Sequence, residues 1–116
     1  MPIKIIEQQV SKADLLDLEL KSRHGSLVKA VVDIERAVMI AGMTMHSDGE
    51  EMLLENGSKQ KDLWGINIYP DKQGDHFIEY DSMINLRPSQ NNRSRSVDSA
   101  QIRAKIIAVV RERVRV

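Results

Sequence analysis

Two stretches, LWGINIY over 63–69 and HFIEYDSMINLR over 76–87, alternate large apolar side chains with polar or small ones. That is the two-residue period of a strand with one buried face. The link between them, Pro70 to Asp75, is too short for anything but an antiparallel hairpin. If Tyr69 faces Phe77, Asn67 falls opposite Glu79 and Gly65 opposite Asp81. Trp64, Ile66, Ile68, Ile78, Tyr80, Ile84 and Leu86 then share one face.

The rest of the chain supplies the partners of this hairpin. Residues 2–6, PIKII, read as an edge strand, where a leading proline is tolerated. Ser11 as N-cap and Gly25 as stop bracket a helix over 12–24. From Leu27 to Met45 the apolar positions fit either period. The density of β-branched residues at Val28, Val31, Val32, Ile34, Val38 and Ile40 favours two strands joined by a turn near Glu35 and Arg36. Ser47 with Glu50 makes a capping box for a short helix over 48–56, closed by Gly57 and weakened by Gly49 in its first turn. Asp98 is the expected cap of a last helix over 99–114, whose buried stripe is Ile102, Ile106, Val109 and Val110. The order is β-α-β-β-α-β-β-α. It implies an α+β two-layer sandwich, a mostly antiparallel sheet of four or five strands with three helices on one face. Lys29, Asp33, Glu35, Asn67, Tyr69, Glu79, Asp81, Asn85 and Arg87 are then expected on the opposite, solvated face.

With 116 residues the chain is expected to form a single domain, 1–116. Its longest apolar run, Ala37 to Met43, is far too short to cross a bilayer and no signal peptide is evident, so a cytoplasmic protein without membrane contact is expected. The absence of cysteine excludes disulfides and thiolate metal sites. Net charge is zero, which argues against strong nucleic-acid binding and makes RNA a less favoured partner. The charge is nevertheless divided, with six net negative charges before Arg87 and six net positive from Arg87 onward.

The site expectation centres on SMINLRPSQNNRSR, 82–95, which leaves a strand and runs into the last helix. Asn85, Arg87 and Ser89 alternate along an extended segment stiffened by Pro88, and Asn92, Arg93 and Arg95 approach the N-terminus of the helix. Free backbone N–H groups there attract anions, and arginine forks add bidentate geometry. Asn85, Arg87, Ser89, Asn92, Arg93 and Arg95 are therefore the expected ligand-binding residues, for an anionic small molecule or protein partner. The alternative use of Arg87 and Arg93 is to tie the loop to Asp81, Glu79 or main-chain carbonyls. His46, Glu79 and Asp81 are weak catalytic candidates, since the His46–Asp48 spacing lacks a third convergent group, and no metal site or cofactor is expected. The aromatics Trp64, Tyr69, Phe77 and Tyr80 all fall in the one hairpin, where cross-strand packing explains them more simply than base stacking.

The runs VKAVVDIER, MHSDGEEMLLENGSKQKDLWGINIYP and DSMINLRPSQNNRSR resemble a small family of bacterial proteins catalogued as a domain of unknown function, over about 27–110. The resemblance implies a bacterial or cyanobacterial single-domain protein and carries no activity, cofactor or substrate with it. Gly49 and Asn91-Asn92 stand where the family pattern leads one to expect Ala and Gly-Asn. The leading functional expectation is a non-catalytic binding module holding an anionic ligand on the 85–95 loop. Two alternatives accompany it: a small metal-assisted hydrolase or nuclease using His46 with Glu79 or Asp81, and a structural homo-oligomer, such as a homodimer, pinned by the loop.

Overall fold

The computed structural model describes residues 4–6, 10–11 and 27–115. The helix expected over 12–24 lies outside the described residues. The fold is α+β. Strands β1 (Lys4–Ile6), β3 (Val28–Asp33), β4 (Val38–Ala41), β5 (Leu63–Ile68) and the two-residue β6 (Ile78–Glu79) form one antiparallel sheet in the order β1-β4-β3-β5-β6. Short strands β2 (Val10–Ser11) and β7 (Val114–Arg115) pair in parallel beside it. Helices α1 (His46–Glu55) and α2 (Ala100–Arg113) are the α-helices among the described residues.

The two helices lie on opposite faces of the sheet, which corrects the two-layer expectation. Val31, Val38, Ile40 and Leu63 pack with Met43 and Leu53 under α1. Val28, Ala30, Val32, Met39, Trp64 and Ile66 pack with Ile106, Val109 and Val110 of α2. The reason lies in the central strands: VKAVVD and VMIA carry apolar side chains toward both sides, and a strand apolar on both faces must be covered on both. The face expected to be solvated is therefore largely filled, and Asp33, Asn67, Asn85 and Arg87 are buried in it.

The turn between β3 and β4 falls where the sequence placed it, over 34–37, without an Asn-Gly pair. Asp33 organises it instead. Its Oδ1 accepts the N–H groups of Glu35 and Arg36, both at 2.9 Å, and its Oδ2 accepts the Ser58 hydroxyl at 2.6 Å. Arg36 in turn donates to Asn56 O at 2.9 Å, so the hairpin tip is tied to the end of α1. That end is a Schellman motif: Gly57 takes φ +100°, Gly57 N–H donates to Leu54 O and Ser58 N–H to Leu53 O. The start of α1 differs from expectation. The helix begins at His46 after Met45, which makes no side-chain cap bond, so Ser47 lies inside the first turn. At α2 the cap is Ser99, whose hydroxyl accepts Ile102 N–H at 3.2 Å. Asp98, the expected cap, instead accepts the Ser94 hydroxyl at 2.7 Å.

Gly49 explains why α1 can sit so close to the sheet. A Cβ there would lie 2.6 Å from Met43 Cε, 3.1 Å from Ile40 Cγ2 and 3.2 Å from Val31 Cγ2. Helix propensity alone makes Gly49→Ala stabilising by about 1 kcal/mol, whereas overpacking of this contact costs about 1–3 kcal/mol. Urea unfolding of Gly49→Ala is expected to show a net loss of stability; a gain would mean that α1 moves out freely.

Candidate functional site

The hairpin register is as read from the sequence for its first pairs, Asn67 with Glu79 and Ile68 with Ile78, and Tyr69 N–H donates to Phe77 O at 2.9 Å. The ladder then stops. Asp81 does not pair with Gly65, because the chain turns over the strand: Ser82 Cβ and Oγ occupy the space where a Gly65 Cβ would lie, 2.6 Å from each. A 3-10 turn over Met83–Asn85 follows. It carries Ile84 to the α1 side of the sheet and leaves Leu86 exposed, so neither joins the Trp64 face as expected.

The edge of β5 left open by the short β6 is closed by side chains of the loop. The buried Asn85 amide acts as a surrogate strand: its Oδ1 accepts Gly65 N–H at 2.8 Å and its Nδ2 donates to Gly65 O at 3.0 Å. The same Nδ2 lies 3.0 Å from Arg95 O. Arg87, 8% exposed, continues along the edge and donates to the carbonyls of Ile84 at 2.9 Å, Gln60 at 2.8 Å and Leu63. Its guanidinium also lies over the Trp64 ring, 4.6 Å from the centroid. Burial pulls the Arg87 pKa down, partly offset by the nearby Glu50 carboxylate.

Asn92 fixes the remainder of the loop. Its Nδ2 donates to Asn85 O and Ser96 O, both at 2.7 Å, and its Oδ1 accepts Asp98 N–H at 2.8 Å. Main-chain bonds in both directions between Arg87 and Asn92 close a small loop. Its left-handed corner is Asn91 at φ +61°, a conformation asparagine tolerates better than most residues. Of the six residues expected to bind a ligand, Asn85, Arg87 and Asn92 thus converge, but on the protein's own carbonyls. Arg95 pairs with Asp81 at 2.7 Å near the surface. Ser89 and Arg93 are exposed.

The catalytic candidates are separated in role. His46 is buried at the first position of α1 with Nε2 2.8 Å from Ile66 O, so that nitrogen carries the proton and ties the helix to the sheet. Glu79 Oε1 accepts from Asn67 Nδ2 at 2.9 Å and from the Tyr69 hydroxyl at 3.0 Å, and Asp81 is held by Arg95. Among the described residues no group of three or more His, Asp or Glu side chains is placed to hold a metal ion.

A second feature was not anticipated from the sequence. Between α2 and the β5–β6 connection runs a groove of about 800 Å³. Phe77, Ile78 and Tyr80 form one wall, Ile107, Val110 and Val114 the other, and Lys72, Asp75, Arg103 and Arg111 add charge. Burial raises the pKa of the Tyr80 phenol and Asp75 adds to this, while the adjacent Arg103 charge works against it. Tyr80 therefore stays a protonated donor at neutral pH. Arg103 is itself oriented by Nη1 donating to Val97 O at 2.6 Å. The signal for this wall was present in the sequence as the four-residue period of Arg103, Ile107 and Arg111 on the last helix, beside the buried stripe.

These features define an α+β protein with a sealed sheet edge and a cationic, apolar-walled groove. The chain belongs to the family described as protein of unknown function DUF5674, which matches residues 4–113. No curated protein and no solved structure matches it. No helix among the described residues is long and apolar enough to cross a membrane.

Two outcomes follow from the geometry. Asn85→Ala strands the N–H and C=O of Gly65 and is expected to cost about 2–4 kcal/mol, whereas Asp81→Asn, at a half-exposed pair, costs no more than about 1 kcal/mol. Chemical denaturation compares them, and equal losses would deny Asn85 its structural role. The phenol of Tyr69 is also raised, by burial first and then by its hydrogen bond to Glu79 and the charges of Glu79 and Asp81. Because both phenols are held protonated in the fold, their contribution is complete below the free tyrosine pKa of about 10. It is lost above that pH as the unfolded chain ionises first. Stability measured against pH should fall on the alkaline side, with the absorbance titration of both tyrosines displaced upward.

Proposed function

We propose that the protein is a non-catalytic binding module for an anionic ligand with an apolar body, held in the groove between α2 and the β5–β6 connection. The observation that carries this reading is the composition of the groove. Its walls are apolar and aromatic, while three cations, Lys72, Arg103 and Arg111, face a single carboxylate, Asp75. A volume of about 800 Å³ lies within the usual range for small-molecule sites. The loop over 85–95 serves this module chiefly as scaffold, since Asn85, Arg87 and Asn92 spend their donors on main-chain carbonyls. Ser89 and Arg93 keep exposed side chains, at which the loop can still meet an anionic partner. The hydrolase reading finds less support, because His46 is engaged with a sheet carbonyl and Glu79 with Asn67 and Tyr69.

Isothermal titration with octanoate, 1-naphthoate and phenyl phosphate tests the reading. At least one is expected to bind saturably, more weakly as salt rises. Arg111→Glu, a change at an exposed position, should weaken that binding roughly tenfold, equivalent to about 1.4 kcal/mol. Absence of binding by all three, or binding indifferent to salt and to Arg111→Glu, would overturn it.

A further inference from the structure

The seal on β5 does not extend to β6. In the register of these two strands Tyr69 N–H donates to Phe77 O at 2.9 Å, and Asn67 pairs with Glu79. Main-chain groups of an antiparallel strand alternate in direction, so the Phe77 carbonyl and the main chain of Glu79 turn toward β5. Those of Ile78 and Tyr80 turn away from it. Asp81 keeps the same parity, with its carbonyl 3.4 Å from Asn67 Nδ2. Among the described residues the N–H and C=O of Ile78 and Tyr80 have no hydrogen-bond partner. The protein closes this edge only at its ends, where Ser82 N–H donates to Arg95 O at 3.0 Å and Phe77 N–H to Gly74 O at 3.2 Å. Between them, over 78–80, both outward-turned residues are half-buried, and their main-chain groups are left for water or another chain.

That open edge borders the groove. The side chains of Ile78 and Tyr80 line it together with Phe77 and Ile107, and all four are half-buried. Residues directly opposite each other in an antiparallel pair send their side chains to the same face. A strand laid beside β6 would therefore send the two residues bonded to Ile78 and Tyr80 into the groove, and the residue between them to the face of Glu79. We propose that the ligand of the groove is an extended acidic peptide that adds to the sheet as a strand beside β6, with two alternate apolar side chains in the groove. This rests on the groove being the binding site and names the class of its ligand. Lys72, Arg103 and Arg111 against Asp75 favour acidic residues flanking the apolar pair, while Glu79 favours a cation between them. The open stretch is only about 10 Å long, so main-chain bonds set the register and the groove supplies the affinity. A second copy of this chain is the poorer occupant. Antiparallel self-pairing of Ile78 with Tyr80 sets the two Glu79 carboxylates directly opposite each other.

The test is isothermal titration with acetyl-Glu-Val-Lys-Val-Glu-amide, beside the scrambled acetyl-Glu-Lys-Val-Val-Glu-amide and versions N-methylated at single positions. The alternating peptide is expected to bind saturably and about tenfold more tightly than the scrambled one, whose apolar residues fall on opposite faces. Methylating a valine nitrogen removes a donor to β6 and should weaken binding about tenfold, whereas methylating the lysine nitrogen, which faces away from β6, should change it less than about threefold. Amide hydrogen exchange is the second readout. Saturating peptide should slow exchange at Ile78 and Tyr80 and leave Glu79, already paired with β5, unchanged. Equal tolerance of N-methylation at every position, or unchanged exchange at Ile78 and Tyr80, overturns strand addition. Absence of peptide binding, while octanoate, 1-naphthoate or phenyl phosphate binds in an Arg111-dependent way, overturns this inference and leaves the groove reading standing. A dimer in light scattering with those two amides already protected makes a second copy the occupant and overturns the peptide. Binding by neither the peptide nor the three small anions removes both readings.

Discussion

One side-chain amide decides the shape of this protein's second half. β5 is the outer full-length strand of the sheet, and β6 covers only its last two residues. An open strand edge invites pairing with another chain. Asn85 answers it with one donor and one acceptor spaced like those of a strand residue, and it can reach Gly65 only because Gly65 lacks a side chain under Ser82. Arg87 extends the seal to Leu63 and Gln60, and Asn92 holds both in register. The bonds that fix the loop thus engage the donors of Asn85, Arg87 and Asn92 on the protein's own carbonyls.

The sealed edge works together with a sheet that is apolar on both sides. β3 sends Val31 toward α1 and Val28, Ala30 and Val32 toward α2, so no broad face is left for solvent among these strands. Asn67, buried on the α1 side, donates Nδ2 to Glu79 and leaves its Oδ1 without a hydrogen-bond partner among the described residues. Asp33, with no solvent exposure, is satisfied by two turn N–H groups and the Ser58 hydroxyl. The groove lies beyond the other flank, between α2 and the β5–β6 connection.

Much of this could be read from residue types. Alternation gave the β5–β6 register at Asn67 and Glu79, and β-branched density gave β3 and β4, with the turn at the right place although its agent was Asp33 rather than Asn-Gly. The two-faced packing was legible in principle from adjacent Val31 and Val32, but period-2 reasoning assumes one wet face and assigned Asp33 and Asn67 to it. For the loop, sequence identified the residues that matter and could not choose between outward and inward donors. That choice depends on Gly65, some twenty residues earlier, lying beneath Ser82. The groove escaped notice because its two walls come from separate elements, and neither Tyr80 nor Arg103 is unusual until they meet.

The pairing of Val10 with Val114 has a temporal consequence. Contacts between residues so distant in sequence close a large loop, and the entropy of that closure slows their formation. Strands β4, β3 and β5, paired in that order within 28–68, can assemble locally. The β2–β7 ribbon joins the most distant paired strands among the described residues, so the groove wall at Val114 depends on the slowest kind of contact to close.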